Sequence, residues 1–239
     1  MTTIIKPILS VQHLEISYQD EEKLKSIVEN VTFQLYPGEM VALTGPSGCG
    51  KSLTAHAVVG LLEAGCKVTN GHIYYKSQNI IDYDEKRWQN LRREEIALLI
   101  QHSLNGLDPI RTVKKQMMET LNQKKKRPRK EIHTYLHSLL YEMGFTDPED
   151  ILSSYPFELS GGMCQRILLA MMISLRPKIL IADEPTTALD VITKEKVLTL
   201  LKKLQHDFGL TILLISHDQE NINKFADRVI QMRQGGIIT

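Results

Sequence analysis

A glycine-rich loop near residue 50 has the composition of a phosphate-binding site. The segment Gly45–Ser52 reads GPSGCGKS and matches the pattern G-x-x-x-x-G-K-[ST] at every fixed position. Glycines allow successive backbone N–H groups to converge on phosphate oxygens, and the start of the helix that follows adds its free N–H groups and positive dipole end. The sequence therefore predicts that Lys51 contacts the β- and γ-phosphates of a nucleotide and that the Ser52 hydroxyl coordinates Mg²⁺.

Two adjacent acidic residues form a second candidate site. Asp183 and Glu184 directly follow the apolar run 179–182, which predicts a buried strand. The carboxyl ends of buried parallel strands form the ligand crevice of α/β folds. Asp183 is therefore suited to hold Mg²⁺, through water, and Glu184 to orient or deprotonate a hydrolytic water. Without the phosphate loop, the same pair would be equally compatible with a solvated turn.

The elements that must position these residues form an α/β pattern. Short apolar segments bounded by turn residues predict strands over 8–18, 27–36, 40–44, 178–183 and 211–216. Helical periodicity covers 53–64, directly after the phosphate loop, and 194–208, which ends at Gly209. Since continuous apolar strands alternate with helices, we expect a mostly parallel sheet covered on both faces, with antiparallel strands at the N-terminus.

The chain is predicted to form one domain, residues 1–239, made of two parts. Residues 1–100 and 177–239 form the core with its N-terminal β-subdomain, and residues 101–176 form a helical insertion. The basic run over 123–130 is predicted to be a solvated loop, with contact to an acidic partner or to lipid headgroups as the alternative.

Composition excludes several classes of function. The 239 residues carry 29 Lys plus Arg and 28 Asp plus Glu, a net charge of +1, which argues against a nucleic-acid partner. Cys49, Cys66 and Cys164 fit neither a disulfide framework nor a paired metal site, which favours the reducing cytoplasm. The N-terminus lacks a signal-peptide pattern, and the longest apolar run, 167–175, is too short to span a bilayer. Any membrane role is expected to come through a partner.

Further motifs give the chain a resemblance to the ATP-binding cassette (ABC) ATPases. The segment 159–166, LSGGMCQR, resembles the signature motif of that family and precedes the Asp-Glu strand. Gln101 resembles its Q-loop glutamine, Asp190 in the sequence ALD its D-loop aspartate, and His217 its switch histidine. Tyr18 lies where the family places an aromatic ring that stacks on adenine. A P-loop kinase would lack the signature and the switch histidine, and a chromosome-maintenance ATPase would carry a long coiled coil.

The resemblance implies ATP and Mg²⁺ as cofactors, with ATP held between two cassettes. Ser160, Gly161 and Gly162 of one cassette would then contact the γ-phosphate of the ATP bound by the other. Gln101 would sense Mg²⁺ and relay the state to the helical part, which docks on a membrane permease. The implied catalytic residues are Lys51, Gln101, Glu184 and His217, and the implied metal ligands are Ser52, Gln101 and Asp183. The implied ATP contacts are Tyr18, Gly45, Pro46, Ser47, Gly48, Cys49, Gly50, Lys51, Ser52, Leu53, Ser160, Gly161, Gly162 and Asp190.

The sequence YPFELSGGM over 155–163 is similar to the D-type ATPases of oligopeptide, dipeptide and nickel importers. Peptide-type members continue into a C-terminal extension with clustered cysteines, and this sequence ends without one, which favours uptake of nickel or a metal chelate. Import of oligopeptides or dipeptides is the alternative, and a non-transport ABC ATPase is a distant one.

The D-type resemblance implies a related F- or E-type ATPase as second subunit, two permease subunits, an extracytoplasmic solute-binding protein and a place at the cytoplasmic face of the membrane. His102, after the Q-loop glutamine, departs from the usual pattern.

Overall fold

The computed structural model describes residues 5–20, 23–100, 106–122, 128–187 and 189–238. Its strands are β1 (Leu9–Asp20), β2 (Lys23–Leu35), β3 (Met40–Thr44), β4 (Cys66–Tyr75), β5 (Gln78–Asn79), β6 (Ile96–Leu99), β7 (Ile179–Asp183), β8 (Thr211–Ile215), β9 (Arg228–Arg233) and β10 (Gly236–Ile238). Its α-helices are α1 (Lys51–Val58), α2 (Glu85–Glu94), α3 (Val113–Asn122), α4 (Arg129–Glu142), α5 (Pro148–Ser153), α6 (Gly161–Ser174), α7 (Val191–Phe208) and α8 (Gln219–Phe225). A short 3-10 helix, Pro156–Glu158, precedes α6.

The strands form two sheets of different type. The first has the order β2-β1-β4-β5 and is antiparallel throughout. The second has the order β10-β9-β3-β8-β7-β6; its strands from β9 to β6 are parallel, and only β10 runs antiparallel to its neighbour. The predicted α/β fold, with a mostly parallel sheet and antiparallel N-terminal strands, is confirmed.

The central strands of the second sheet are buried along their whole length. Every residue of β3, β7 and β8 is buried, as their continuous apolar sequences predict. Successive side chains of a strand point to opposite faces, so Leu180 of β7 packs with the helices of one layer, whereas Ile181 packs with α1 and the antiparallel sheet. The sheet is thus the shared core of two layers.

The register of these strands places the candidate site at one edge of the sheet. Asp183, at the end of β7, pairs with Ile215, at the end of β8. The phosphate loop begins directly after β3, the other neighbour of β8. The carboxyl ends of adjacent parallel strands therefore bring the loop, Asp183-Glu184 and His217 to the same side of the molecule.

The predicted helix over 53–64 is wrong beyond Val58. Gly60 N–H donates to the Ala57 carbonyl at 3.1 Å, and Leu61 N–H donates to the His56 carbonyl at 2.9 Å. Gly60 itself has a φ of 65°. This pair of bonds around a left-handed residue is the Schellman motif, which ends a helix. The apolar residues after it therefore belong to the connection that leads into β4, a strand that the sequence did not predict.

The other helical segments differ less from their predicted bounds. The predicted helix over 194–208 begins earlier, at Val191, because the Asp190 side chain caps it by accepting the Thr193 N–H. The segment 87–176 is mostly helical, as predicted, with β6 inside it. Within the described ranges, each helix is too short or too polar to cross a membrane.

Candidate active site

The phosphate loop wraps around the ammonium group of Lys51. The Lys51 side chain is buried, and its Nζ donates to the carbonyl oxygens of Gly45 at 3.0 Å and Pro46 at 2.9 Å. The Cys49 Sγ lies 3.8 Å from the same nitrogen, and Cys49 is itself buried. The loop thus holds a positive charge beside the start of α1, where the helix presents unpaired N–H groups. This combination attracts a phosphate group.

Gly45, the first residue of the phosphate loop, packs closely against the backbone of β9. A Cβ added at Gly45 would lie 2.2 Å from the carbonyl oxygen of Met232, so no other residue fits there without moving backbone. Ser47, in contrast, is exposed at the tip of the loop. The loop therefore has one end packed on the sheet and one end open to solvent.

A cavity of about 360 Å³ lies next to the loop. Its lining includes the predicted residues Tyr18, Gly48, Gly50, Lys51, Ser52 and Leu53, together with Ile27, His56, Glu63 and Cys66. The latter four residues were missed from the sequence because they belong to no motif. The placement of Glu63 and Cys66 also depends on pairing between distant segments, since Tyr18 of β1 lies opposite Cys66 of β4. The Tyr18 ring is 40% exposed, which leaves it available to stack on a flat ligand.

Asp183 is only 2% exposed and lies next to Ser52, which lines this cavity. Burial raises the pKa of its carboxyl group, while a hydrogen bond with the Ser52 side chain opposes that rise. Its Oδ1 atom is buried and has no hydrogen-bond partner among the described residues. A buried carboxylate oxygen without a partner, beside a hydroxyl group, is a donor set that suits a hard cation such as Mg²⁺.

Replacing Asp183 with Asn is expected to raise the melting temperature of the nucleotide-free protein at neutral pH by about 2–4 °C, the scale of roughly 1 kcal/mol in a chain of this size. The reason is that burial disfavours the carboxylate. The pKa of Asp183 is raised above its ordinary value of 3.8 in the folded protein. As the pH rises through this folded-state pKa, the buried carboxyl group becomes charged, and wild type loses stability relative to the variant. Thermal unfolding of both proteins over about pH 4–8 measures this difference, with the exposed Asp82→Asn as control. A difference that does not change with pH would contradict the buried charge.

Glu184 and His217 form the third part of the site. The His217 Nδ1 lies 3.2 Å from Glu184 Oε1, and the Thr187 hydroxyl donates to Glu184 Oε2 at 2.9 Å. The backbone of Glu184 has a φ of 46°, in the left-handed region that residues other than glycine rarely adopt. Its N–H donates to the Ile215 carbonyl at 3.0 Å, which holds this conformation. Strained backbone maintained in this way is typical of functional positions.

The signature and D-loop residues lie elsewhere on the surface. Ser160 caps α6, with its Oγ accepting the Met163 N–H at 3.4 Å, and Ser160 and Gly161 are exposed. Asp190 caps α7 in the same way and is also exposed. Neither these residues nor Gly162 is among those that line the cavity beside the phosphate loop. One chain therefore carries two separate groups of predicted site residues.

Some sequence predictions lie outside the described residues. Gln101, His102, Ala188 and most of the basic run over 123–130 belong to this group. The roles predicted for Gln101 in catalysis and metal binding therefore remain predictions.

Comparison with known proteins identifies the family of this chain. The family model described as ABC transporter matches residues 28–187, more than half of the chain. The chain belongs to the ABC transporter family. It is the ATP-hydrolysing cassette of an ABC importer, an enzyme that couples ATP hydrolysis to transport.

Curated relatives of this cassette serve different cargoes. It is 39% identical over 232 residues to the dipeptide transport ATP-binding protein DppD of Bacillus subtilis, covering 97% of this chain and 69% of that protein. It is 38% identical over 231 residues to the metal-staphylopine import system ATP-binding protein CntD of Staphylococcus aureus, covering 97% of this chain and 84% of that protein. A dimeric structure of a bacterial ABC transporter cassette resembles it with a TM-score of 0.83 and 29% identity, over 97% of each chain.

Proposed function

We propose that this cassette binds ATP in the cavity beside the phosphate loop and that its hydrolysis drives uptake of nickel or a metal chelate. The observation that carries the assignment of the site is the meeting of Lys51, the Ser52–Asp183 pair and the Glu184–His217 pair at one edge of the parallel sheet. A cation, a metal-binding pair and a base are the groups that phosphoryl transfer to water needs.

ATP lies along this cavity in the proposal. Adenine stacks on Tyr18, and the phosphates reach the backbone N–H groups of the loop and the Lys51 ammonium. The loop contacts would come from Gly45, Pro46, Ser47, Gly48, Cys49, Gly50, Ser52 and Leu53. Nucleotide phosphate would then replace the Gly45 and Pro46 carbonyls as the partner of Lys51, so binding exchanges one set of buried hydrogen bonds for another.

Ser52 and Asp183 would hold the Mg²⁺ that accompanies ATP, with Gln101 as the further predicted ligand. The buried Asp183 Oδ1 without a partner among the described residues supports this assignment. When bound, Mg²⁺ would neutralise part of the triphosphate charge.

Glu184 acts as the base in this proposal. Its carboxylate accepts a proton from water as the water oxygen attacks the γ-phosphorus and the bond to the bridging oxygen of ADP breaks. The Thr187 hydroxyl and His217 hold the two carboxylate oxygens in one orientation. The His217 side chain is largely exposed, which leaves its ring accessible to the phosphate from the solvent side.

The complete site is proposed to form between two cassettes. Ser160, Gly161 and Asp190 are exposed and lie apart from the cavity, so they are accessible to ATP held by a second cassette. Val191 and Ile192, next to Asp190, are 79% and 68% exposed, an apolar pair suited to burial at such an interface. The similar dimeric cassette supports the pairing of two cassettes. The second cassette is proposed to be a related F- or E-type ATPase.

We further propose that the cassette works at the cytoplasmic face of the membrane, bound to two permease subunits. Its only link to the extracytoplasmic solute-binding protein is through those subunits.

Metal-chelate import is supported by the similarity to the metal-staphylopine import protein. Dipeptide import is the second candidate, because the dipeptide transport protein is similar to the same degree.

Measurement of cellular nickel by elemental analysis distinguishes the two cargoes. A strain lacking this gene is compared, in metal-poor medium with trace nickel, with strains that carry wild type or Glu184→Gln, and uptake of a labelled dipeptide is measured in parallel. Nickel that falls on deletion and returns only with wild type would support the metal proposal. Unchanged nickel with lost dipeptide uptake would replace it by the second candidate.

A further inference from the structure

Thr193, in the first turn of α7, contacts both groups of residues that are proposed to face the second cassette. Its backbone N–H donates to Asp190 Oδ1 at 3.0 Å, and its hydroxyl donates to Asp190 Oδ2 at 2.6 Å. One threonine therefore occupies both oxygens of the D-loop carboxylate. These hydrogen bonds also lower the pKa of Asp190, which favours the charged form.

The methyl group of the same side chain meets the signature helix. A Cβ built on Gly162 would lie 2.4 Å from Thr193 Cγ2, but 3.7 Å from Thr193 Cβ and 3.8 Å from its hydroxyl oxygen. The methyl group alone thus fills the space where a side chain at position 162 would go. Gly162 is buried in the first turn of α6, two residues after Ser160.

The two contacts depend on each other because threonine has a restricted χ1 angle. A β-branched side chain in a helix has few allowed rotamers, and the hydroxyl and methyl groups move together when χ1 changes. With the hydroxyl bound to Asp190, the methyl group points at Gly162. Any side chain at position 162 must push the methyl group away, and the rotation would take the hydroxyl off Asp190.

We propose that Thr193 is a positioning residue that couples the first turn of the signature helix to the D-loop carboxylate. Ser160 and Asp190 then keep a fixed relation when they meet the ATP of the second cassette. The inference rests on the proposed function, since it concerns residues assigned there to the neighbouring ATP site. Thr193 itself does not line the cavity beside the phosphate loop, so ATP binding by its own chain should be independent of it.

The test is a double-substitution cycle on ATPase activity, using the transporter complex purified through a tagged copy of the chain. Gly162→Ala is expected to lower kcat about 10-fold, because the new methyl group displaces Thr193 from Asp190. Adding Thr193→Ser removes only the clashing methyl group and keeps the hydroxyl. The double variant is therefore expected to regain activity to within about 3-fold of Thr193→Ser alone.

Thr193→Val provides the complementary variant, since it keeps the methyl group and loses the hydroxyl. We expect kcat to fall about 10-fold, with the KM for ATP changed less than about twofold. The melting temperature should shift by less than about 3 °C, because the Thr193 N–H still caps on Asp190. Thr199→Val, an exposed threonine on the same helix, is the matched control and should match wild type.

The outcomes separate the inference from the proposed function. If wild type hydrolyses ATP but Thr193→Ser does not rescue Gly162→Ala, the coupling is overturned and the proposed function stands. If Thr193→Val alters KM and melting temperature as much as kcat, Thr193 has only a structural role and the inference fails. If wild type has no ATPase activity, the proposed function fails, and the inference fails with it.

Discussion

Glu184→Gln is expected to lower ATP hydrolysis by about 10²-fold or more while ATP binding remains close to wild type. The amide keeps the size of the side chain and still accepts a hydrogen bond from the Thr187 hydroxyl, but it cannot take a proton from water. Binding of ATP without turnover should hold two cassettes together. Size-exclusion chromatography with ATP and Mg²⁺ is expected to show a stable dimer or heterodimer that wild type forms only transiently.

The exposed Glu131→Gln on α4 is the matched control and should hydrolyse ATP at the wild-type rate. Wild-type turnover by Glu184→Gln would exclude Glu184 as the base. Loss of ATP binding in that variant would point instead to a structural role, through the strained backbone and the bonds to Thr187 and His217.

Lys51→Ala is expected to weaken ATP binding about 10²-fold, because a charge-assisted contact to phosphate contributes roughly 1.5–3 kcal/mol. The structure adds a second expected effect. The Lys51 ammonium also binds the Gly45 and Pro46 carbonyls, so its loss leaves two acceptors of a partly buried loop without their donor. The nucleotide-free variant should therefore also unfold at a lower temperature than wild type.

Titration with a fluorescent ATP analogue measures the first effect, and calorimetry without nucleotide measures the second. Lys86→Ala, at an exposed position on α2, controls for loss of a positive charge. Tight ATP binding by Lys51→Ala would contradict the phosphate-loop assignment. Reduced binding with unchanged unfolding would keep that assignment and show that water replaces the ammonium in the empty loop.

The sequence predicted those parts of the fold that local pattern determines. β3, β7 and β8 are short, largely apolar segments that are buried on both faces. Such segments between turn residues are typical of the central strands of a parallel sheet. β4 escaped prediction because most of its residues are not buried and it is held by pairing with β1, more than 40 residues away. The end of α1 was missed because the apolar residues after Val58 continue the helical pattern, whereas the hydrogen bonds around Gly60 end it.

In the site, too, residues next to a local pattern were predicted, and residues placed by distant contacts were missed. The loop and the two acids could be predicted because each directly follows a predicted strand, whereas His217 was predicted through the resemblance to the ABC ATPases. His56, Glu63 and Cys66 carry no motif, and only the folding of β1 against β4 brings Glu63 and Cys66 beside the loop. Thr193 was missed for a related reason, since its partner Gly162 comes 31 residues earlier and their contact depends on the packing of α6 against α7.

One outer strand of the parallel sheet limits how copies of this protein can associate. In the described part of the chain, β6 lies at an edge of this sheet and has 4 residues. A strand this short offers few unpaired backbone groups, so a foreign strand that joined this edge would gain few hydrogen bonds. Sheet extension at β6, a common route to aggregation, is therefore disfavoured. The proposed association of two cassettes through loops and helix starts therefore has little competition from strand pairing at this edge.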